Sequence, residues 1–344
     1  MGINFCNEKG YGSTRRWTCL EVEAYQSESL NVVGSIEIKM IAFGPVPSRR
    51  LGFSLGVNNI PPKICSYSCV YCQIGRTKRM QTKRETFFDP EKIIENVKKK
   101  MESKVKIDYI TFVPDGEPTL DANIGYEIEK LKDFGKVAVI TNSSLLWRDD
   151  VRKDLLKADL VSVKIDSVDE TIWRKINRPH GSLSLRKILE GIKDFSKEFD
   201  GKLITETMLV RGLNDDPELA EKMAEFIAEL NAKAYLSIPI RPPAEKWVLP
   251  ANKETVEIWR EIFSEKVEVE CLVMPEEDSF AYTGDLEEDL LSILSVHPMR
   301  ENSLKKFLEK ANSNWDFIEK LIEEGKIQEK EYGNVRFYIR KFWS

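Results

Sequence analysis

The stretch Pro61–Lys78, "PPKICSYSCVYCQIGRTK", places Cys65, Cys69 and Cys72 in one short loop. Thiolate sites for a single structural metal usually close with four protein ligands. No fourth partner lies nearby, since Cys6, Cys19 and Cys271 are remote in sequence and His180 and His297 are the only histidines. A zinc knuckle would need one of these distant groups. An iron–sulfur cluster held by three thiolates would instead keep one iron open for a ligand.

The bulk composition narrows the setting. A chain of 344 residues is long enough for one large core with a smaller satellite. Hydrophobic residues at 42% beside 32% charged residues describe a soluble globular protein, and no apolar run approaches the roughly 20 residues that span a bilayer. The opening "MGINFCNEKGYG" lacks the basic flank and apolar core of a secretory signal, so the expected compartment is the cytoplasm, where thiols stay reduced. Six cysteines then suggest metal or redox chemistry more than a disulfide framework. A net charge of -5 argues against a general polyanion binder but allows local basic patches.

Residues 1–39 show no clear period, and organised patterning begins at Met40. The expectation is that this segment lies upstream of the true start or forms a disordered arm, with an ordered strand pair as the alternative. From there on, "KIDYITFV" (106–113), "KVAVIT" (136–141), "DLVSVKI" (159–165), "KLITETMLV" (202–210) and "AYLSIPI" (234–240) read as strands. Helical stretches separate them. "DPEKIIENVKKKM" (89–101) opens with Asp89 as N-cap and Pro90 at the first helical position, and "DDPELAEKMAEFIAEL" (215–230) repeats that start. Such alternation predicts parallel strands joined by right-handed crossovers, with chemistry at their C-terminal ends. The tail differs: three short helices and a hairpin turning at Gly333-Asn334 predict a winged helix-turn-helix module over 285–344, after a polar junction near 275–285. Its self-contained pattern predicts that cutting near Gly284 spares the chemistry of residues 40–275.

The C-x3-C-x2-C spacing, with Tyr71 just before the third cysteine, resembles the signature of the radical S-adenosylmethionine (SAM) superfamily. "GPVPSRRLG" (Gly44–Gly52) is similar to the opening of one branch of it, related to the tRNA wyosine synthases. The resemblance covers about Ile41 to Met274 and implies a partial (β/α)6 TIM-like barrel. It further implies a 4Fe-4S cluster on Cys65, Cys69 and Cys72, whose open iron is chelated by SAM. "PDGEPTL" (Pro114–Leu120) resembles the Gly-Gly-Glu motif that receives the SAM amino group, with Asp115 in place of its first glycine. On that basis Glu117 would accept the ammonium, with Gly116 allowing close approach and Pro118 closing the motif. An ordinary carboxylate at a helix start is the alternative role for Glu117. "TNSSL" (Thr141–Leu145) resembles the Thr-Asn-Gly turn, which makes Asn142 and Ser143 candidates for the ribose or carboxylate of SAM, and Tyr71 would lie by the adenine.

Side-chain alternation along "DLVSVKID" sets Ser162, Lys164 and Asp166 on one face and Val161, Val163 and Ile165 on the other. The polar face should line the barrel, with Asp166 beside the cofactor. Lys164 would need a partner there, and Glu206 on the next strand is the candidate; a structural ion pair and a substrate-handling pair are equal readings. Arg241 follows the strand "AYLSIPI", where the branch carries a similar Arg-Pro-Pro turn, and suits the SAM carboxylate or an anionic substrate. Arg49, Arg50, Arg76, Lys78, Arg79, Lys83 and Arg84 are either a solvated charge run or phosphate contacts. In the tail, Asp316, Glu319, Glu323 and Glu324 make the third helix acidic, which disfavours DNA binding. The resemblance implies reductive SAM cleavage with ferredoxin or flavodoxin as electron donor. It leaves a tRNA base as the first substrate class and a peptide or protein as the second. A cluster-bearing, nucleic-acid-binding regulator is the reading from another class.

Overall fold

The computed structural model describes residues 41–102, 105–274, 280–282 and 284–341. The 1–39 segment, with Cys6 and Cys19, lies outside the described residues, as does much of the 275–285 junction.

At the front, β1 (Ala42–Ser48) folds back on β2 (Gly52–Val57) as an antiparallel pair. The loop leaving β2 makes a short parallel ladder of its own, β3 (Ile64–Cys65) with β4 (Arg79–Met80), which fastens the two ends of the cysteine loop together. Six further strands follow, β5 (Tyr109–Phe112), β6 (Val137–Thr141), β7 (Leu160–Lys164), β8 (Lys202–Met208), β9 (Lys233–Ser237) and β10 (Val269–Leu272). The eight-stranded sheet runs β1-β2-β5-β6-β7-β8-β9-β10. All of its neighbours pair in parallel except β1 with β2.

Between the strands lie α1 (Pro90–Met101), α2 (Ile124–Leu131), α3 (Asp149–Leu155), α4 (Glu170–Asn177), α5 (Leu185–Glu198), α6 (Pro217–Ala228) and α7 (Lys253–Ser264). The caps form where the residue types require. Asp89 accepts from the Glu91 amide ahead of α1, and Asp216 accepts from the amides of Glu218 and Leu219 ahead of α6. The expected α/β class with a mostly parallel sheet therefore holds. β10 extends the ladder beyond the strands read from sequence, because "VECL" is short and half-exposed and carries little hydrophobic signal.

The two faces of the sheet separate as strand alternation demands. Val161, Val163 and Ile165 join the helices in the main core, together with Val137, Val139 and Leu236. On the opposite face Ala138, Leu160, Ile204 and Tyr235 form a small apolar layer. Further toward the strand C-termini that same face turns polar, with Ser162, Lys164, Glu206 and Ser237. This gradient gathers Ser162, Lys164, Glu206 and Ser237 at the end of the sheet where the cysteine loop sits.

The tail contains α8 (Leu286–Val296), β11 (Met299–Arg300), α9 (Glu301–Lys310), α10 (Asp316–Glu323) and the hairpin β12 (Ile327–Tyr332) with β13 (Val335–Arg340). Gly333 and Asn334 both take positive φ, 58° and 59°, as a two-residue hairpin turn matched to strand twist requires. Its core joins Leu290, Ile293, Phe307, Ile318, Leu321 and Tyr338, and Trp315, Phe317 and Ile322 pack against that core. The tail also rests on the sheet domain. Val46 of β1 packs on its core, and Lys100 of α1 pairs with the buried Asp289 at 3.3 Å.

Candidate cofactor site

Backbone hydrogen bonds shape the cysteine loop before any side chain contributes. Cys72 N donates to Cys69 O at 3.1 Å, and Gly75 N donates to Cys72 O at 3.1 Å. The loop is pinned from outside as well. Val70 N donates to Ile176 O at 2.9 Å, Ser68 N to Asn177 O at 3.0 Å, and His180 N to Ser66 O at 2.9 Å. The C-terminus of α4 thus holds the loop in place. Cys65, Cys69 and Cys72 line one cavity of about 200 Å³ with Lys63, Asp115, Gly116 and Val296. Two amides address the sulfurs: Asn142 Nδ2 lies 3.4 Å from Cys65 Sγ, and Asn177 Nδ2 lies 3.4 Å from Cys69 Sγ. Burial pushes the Cys69 thiol up to about 12, with the Asp166 charge adding to it, and burial raises Cys65 and Cys72 as well. Metal loading must therefore release protons from this loop.

Among the described residues, no three His, Cys, Asp or Glu side chains converge as ligands of a single metal ion. The thiols surround a cavity without meeting at a point. Three thiols around one cavity suit a cluster, in which each cysteine ligates a different iron.

The loop after β5 forms the facing wall. At Gly116 a Cβ would stand 1.9 Å from the Ile64 carbonyl oxygen, so only glycine lets this loop approach the cysteine segment. Glu117 N donates to that same carbonyl at 3.1 Å. Its carboxylate, 1% exposed, is fully engaged by protein donors. Oε1 accepts from Thr119 N at 3.1 Å, Thr119 Oγ1 at 2.6 Å and Thr141 Oγ1 at 2.6 Å, while Oε2 accepts from Asn142 N at 2.7 Å. Burial raises its pKa, and these donors work against the rise. The Glu117 side chain caps the short 3-10 turn Pro118–Leu120 and ties it to the end of β6, which is the helix-start role. Pro118 is buried in that turn, and its carbonyl accepts from Asn59 Nδ2 at 3.1 Å.

The other expected residues gather around this wall, many with their hydrogen bonds already committed. Asn142 donates to Ser66 Oγ at 2.9 Å and accepts from Ser144 N at 2.9 Å. Ser143 takes φ 68°, which accounts for the glycine preference at this turn, and donates to Lys164 O at 3.2 Å. Asp166 accepts from Tyr71 Oη, from Asn177 Nδ2 at 2.6 Å and from Met208 N at 2.9 Å. Asp166 thereby latches the cysteine loop to β7 and β8. Lys164 lies 5.0 Å from the Tyr71 ring centre and 3.2 Å from Glu206 Oε1. Glu206 also pairs with Arg50 and accepts from Ser237 Oγ at 3.0 Å. Burial by itself would raise its pKa, but Arg50 and Lys164 hold it well below the usual range.

Two cations proposed for phosphates are turned elsewhere. Arg50 points inward to Glu206, and Arg84 is buried against Asp154, Thr119 O and Asp121 O. Arg241 joins the loop to the tail: Nη1 donates to Gln73 Oε1 at 2.6 Å, and Nη2 meets His297 Nε2. Gln73 Nε2 in turn donates to Val296 O at 2.6 Å, and Tyr332 Oη donates to Pro239 O at 3.1 Å. The tail consequently supplies part of the cavity wall through Val296. Sequence reading missed Asn177, Gln73 and Val296. Only "NRPH" (177–180), a polar break directly after a helix, hinted at the first of them.

The Radical SAM superfamily profile matches residues 59–227. The "UPF0026 protein MJ1312" of Methanocaldococcus jannaschii is 50% identical over 311 residues, 88% of this chain and 97% of that one. A "UPF0026 protein" of Helicobacter pylori (strain J99) is 30% identical over 87% of this chain and 97% of that one. Among solved structures, a radical SAM methyltransferase from Sphaerobacter thermophilus shares the fold at TM-score 0.51 and 14% identity, over 64% of this chain and 66% of that one.

Proposed function

The chain belongs to the UPF0026 family of the radical SAM superfamily, whose enzymes use a 4Fe-4S cluster and SAM, and we propose that it removes a hydrogen atom from a base of an RNA substrate. The observation that carries the chemistry is a cavity lined by three thiols of one short loop. When bound, the cluster supplies the electron that splits SAM into methionine and a 5'-deoxyadenosyl radical.

In this reading Cys65, Cys69 and Cys72 hold three irons, and Asn142 and Asn177 donate to two of the sulfurs. Gly116 keeps the facing wall close, while Pro118 and Ser143 fix its turns. Tyr71 divides the cofactor side from the polar interior, where Lys164 and Glu206 orient the substrate. Arg241 holds the lip of the cavity against the tail. The support for RNA is the exposed run beside the cysteine loop, Arg76, Lys78, Arg79 and Lys83, in which Arg76 pairs with Glu245 and Arg79 with Glu85. Ferredoxin or flavodoxin is the proposed electron donor, and the cytoplasm the proposed compartment. We take residues 40–275 as a partial (β/α)6 barrel and 285–344 as a winged-helix module whose exposed acidic face, Asp316, Glu319 and Glu323, turns away from phosphates.

The test is anaerobic incubation of the reconstituted enzyme with SAM, reductant and either a deuterated tRNA pool or a deuterated peptide pool. Deuterium in 5'-deoxyadenosine from the RNA pool alone is expected. Label from the peptide pool alone would transfer the function to peptide modification, and cleavage of SAM without label from either would refute both substrate classes.

A further inference from the structure

Asp115 and Glu117 sit two residues apart on one loop and meet opposite surroundings. Glu117 is saturated by four protein donors. Asp115 is equally buried, 1% exposed, yet neither of its carboxylate oxygens has a hydrogen-bond partner. An ionised carboxylate out of water and without a donor is a costly arrangement, and folded proteins keep such groups where a ligand or ion completes them. Asp115 lines the same cavity as the three cysteines.

Its position is fixed by its own backbone. Asp115 N donates to Asn58 Oδ1 at 3.2 Å, and Lys63 N donates to Asp115 O at 2.6 Å. These bonds fix the main chain at Asp115 against the cysteine segment, and the side chain lies buried in the cavity wall. Lys63 and Arg340 attract it from a distance, but neither donates to it. Burial pushes its carboxyl up to about 7, as expected for an acid lacking donors in an enclosed site.

We propose that Asp115 is the anchor for the amino group of SAM, and that the Glu117 side chain serves the turn and not the ligand. An amino group whose lone pair is held by the iron presents only N–H donors, so it complements a carboxylate whose oxygens are both unmet. The assignment rests on the reading of this cavity as the SAM site. It adds that the residue standing where the Gly-Gly-Glu motif has its first glycine is itself the charge partner.

The experiment uses full-length protein with its cluster reconstituted anaerobically, comparing wild type with Asp115→Asn. Iron and sulfide content, SAM affinity by equilibrium dialysis, and affinity for a SAM analogue lacking the amino group are measured. Loss of a charge-assisted contact should weaken SAM binding by about tenfold to a hundredfold. The analogue should bind both proteins alike. The urea midpoint of the variant should be unchanged or higher, because the substitution removes a buried charge without donors. Wild-type affinity for SAM in a fully loaded variant overturns the proposal, as does equal weakening of both ligands. If loaded wild type binds neither ligand, the SAM reading of the cavity fails first. Should Asp115→Asn lose iron, Asp115→Gly is measured in the same way and decides by the same two outcomes.

Discussion

Replacing Glu117 by glutamine tests whether that carboxylate is structural. Three donors meet Oε1 and one meets Oε2, all within 3.1 Å. In the variant the amide oxygen can keep the three bonds at Oε1, but as neutral bonds each weakens by about 1 kcal/mol. The amide nitrogen then faces Asn142 N, donor against donor, which forfeits a further 1 to 3 kcal/mol, roughly. Relief of the desolvation that raises the Glu117 pKa returns some of this, leaving a net loss of about 2–4 kcal/mol. With a urea slope of about 3 kcal/mol/M, the midpoint of the apoprotein should fall by ~1 M. Equilibrium urea denaturation followed by tryptophan fluorescence measures it. An unchanged midpoint together with weakened SAM binding in the cluster-loaded variant would refute the structural reading and return the charge of Glu117 to the ligand.

Cys69→Ala should abolish cluster assembly after anaerobic reconstitution, read as iron content and visible absorption; full iron would remove Cys69 from the ligand set. A second expectation concerns the buried pair Asp121 and Glu127. Burial, then the Asp121 charge, raises Glu127, whose oxygens find no donor, so the contact is favourable only with a proton between the two carboxyls. The folded state then binds more protons than the unfolded state above the ordinary Glu pKa of about 4.3, and stability must fall as pH rises from there. Glu127→Gln should remove about 1.4 kcal/mol per pH unit of that slope, and parallel stability profiles for the two proteins between pH 5 and 8 would contradict it. Truncation near Gly284 should lower SAM affinity by about tenfold, the worth of one lost hydrogen bond, because Val296 lines the cavity and its carbonyl holds Gln73; wild-type affinity in a soluble truncated protein would support the separable tail expected from sequence.

Local patterns in the chain determined the α/β class, the parallel order of the strands, the polar face of β7 and the three-cysteine loop. These depend on periodicity, caps and spacing between near neighbours, which a single sequence displays directly. The Lys164–Glu206 partnership was legible too, because both residues fall on the inward phase of adjacent strands. The occupancy of each polar group was not legible. Glu117 and Asp115 look alike in "PDGEP", and only the folded chain brings Thr119, Thr141 and Asn142 to one carboxylate while leaving the other without donors. Arg50 and Arg84 read as exposed cations until tertiary contacts turn them toward Glu206 and Asp154. The tail read as self-contained because its own core closes in sequence, whereas Val296 reaches the cavity through a contact with Gln73, 223 residues away along the chain. Long-range juxtaposition of this kind depends on how packed layers meet, and no local window of sequence encodes it.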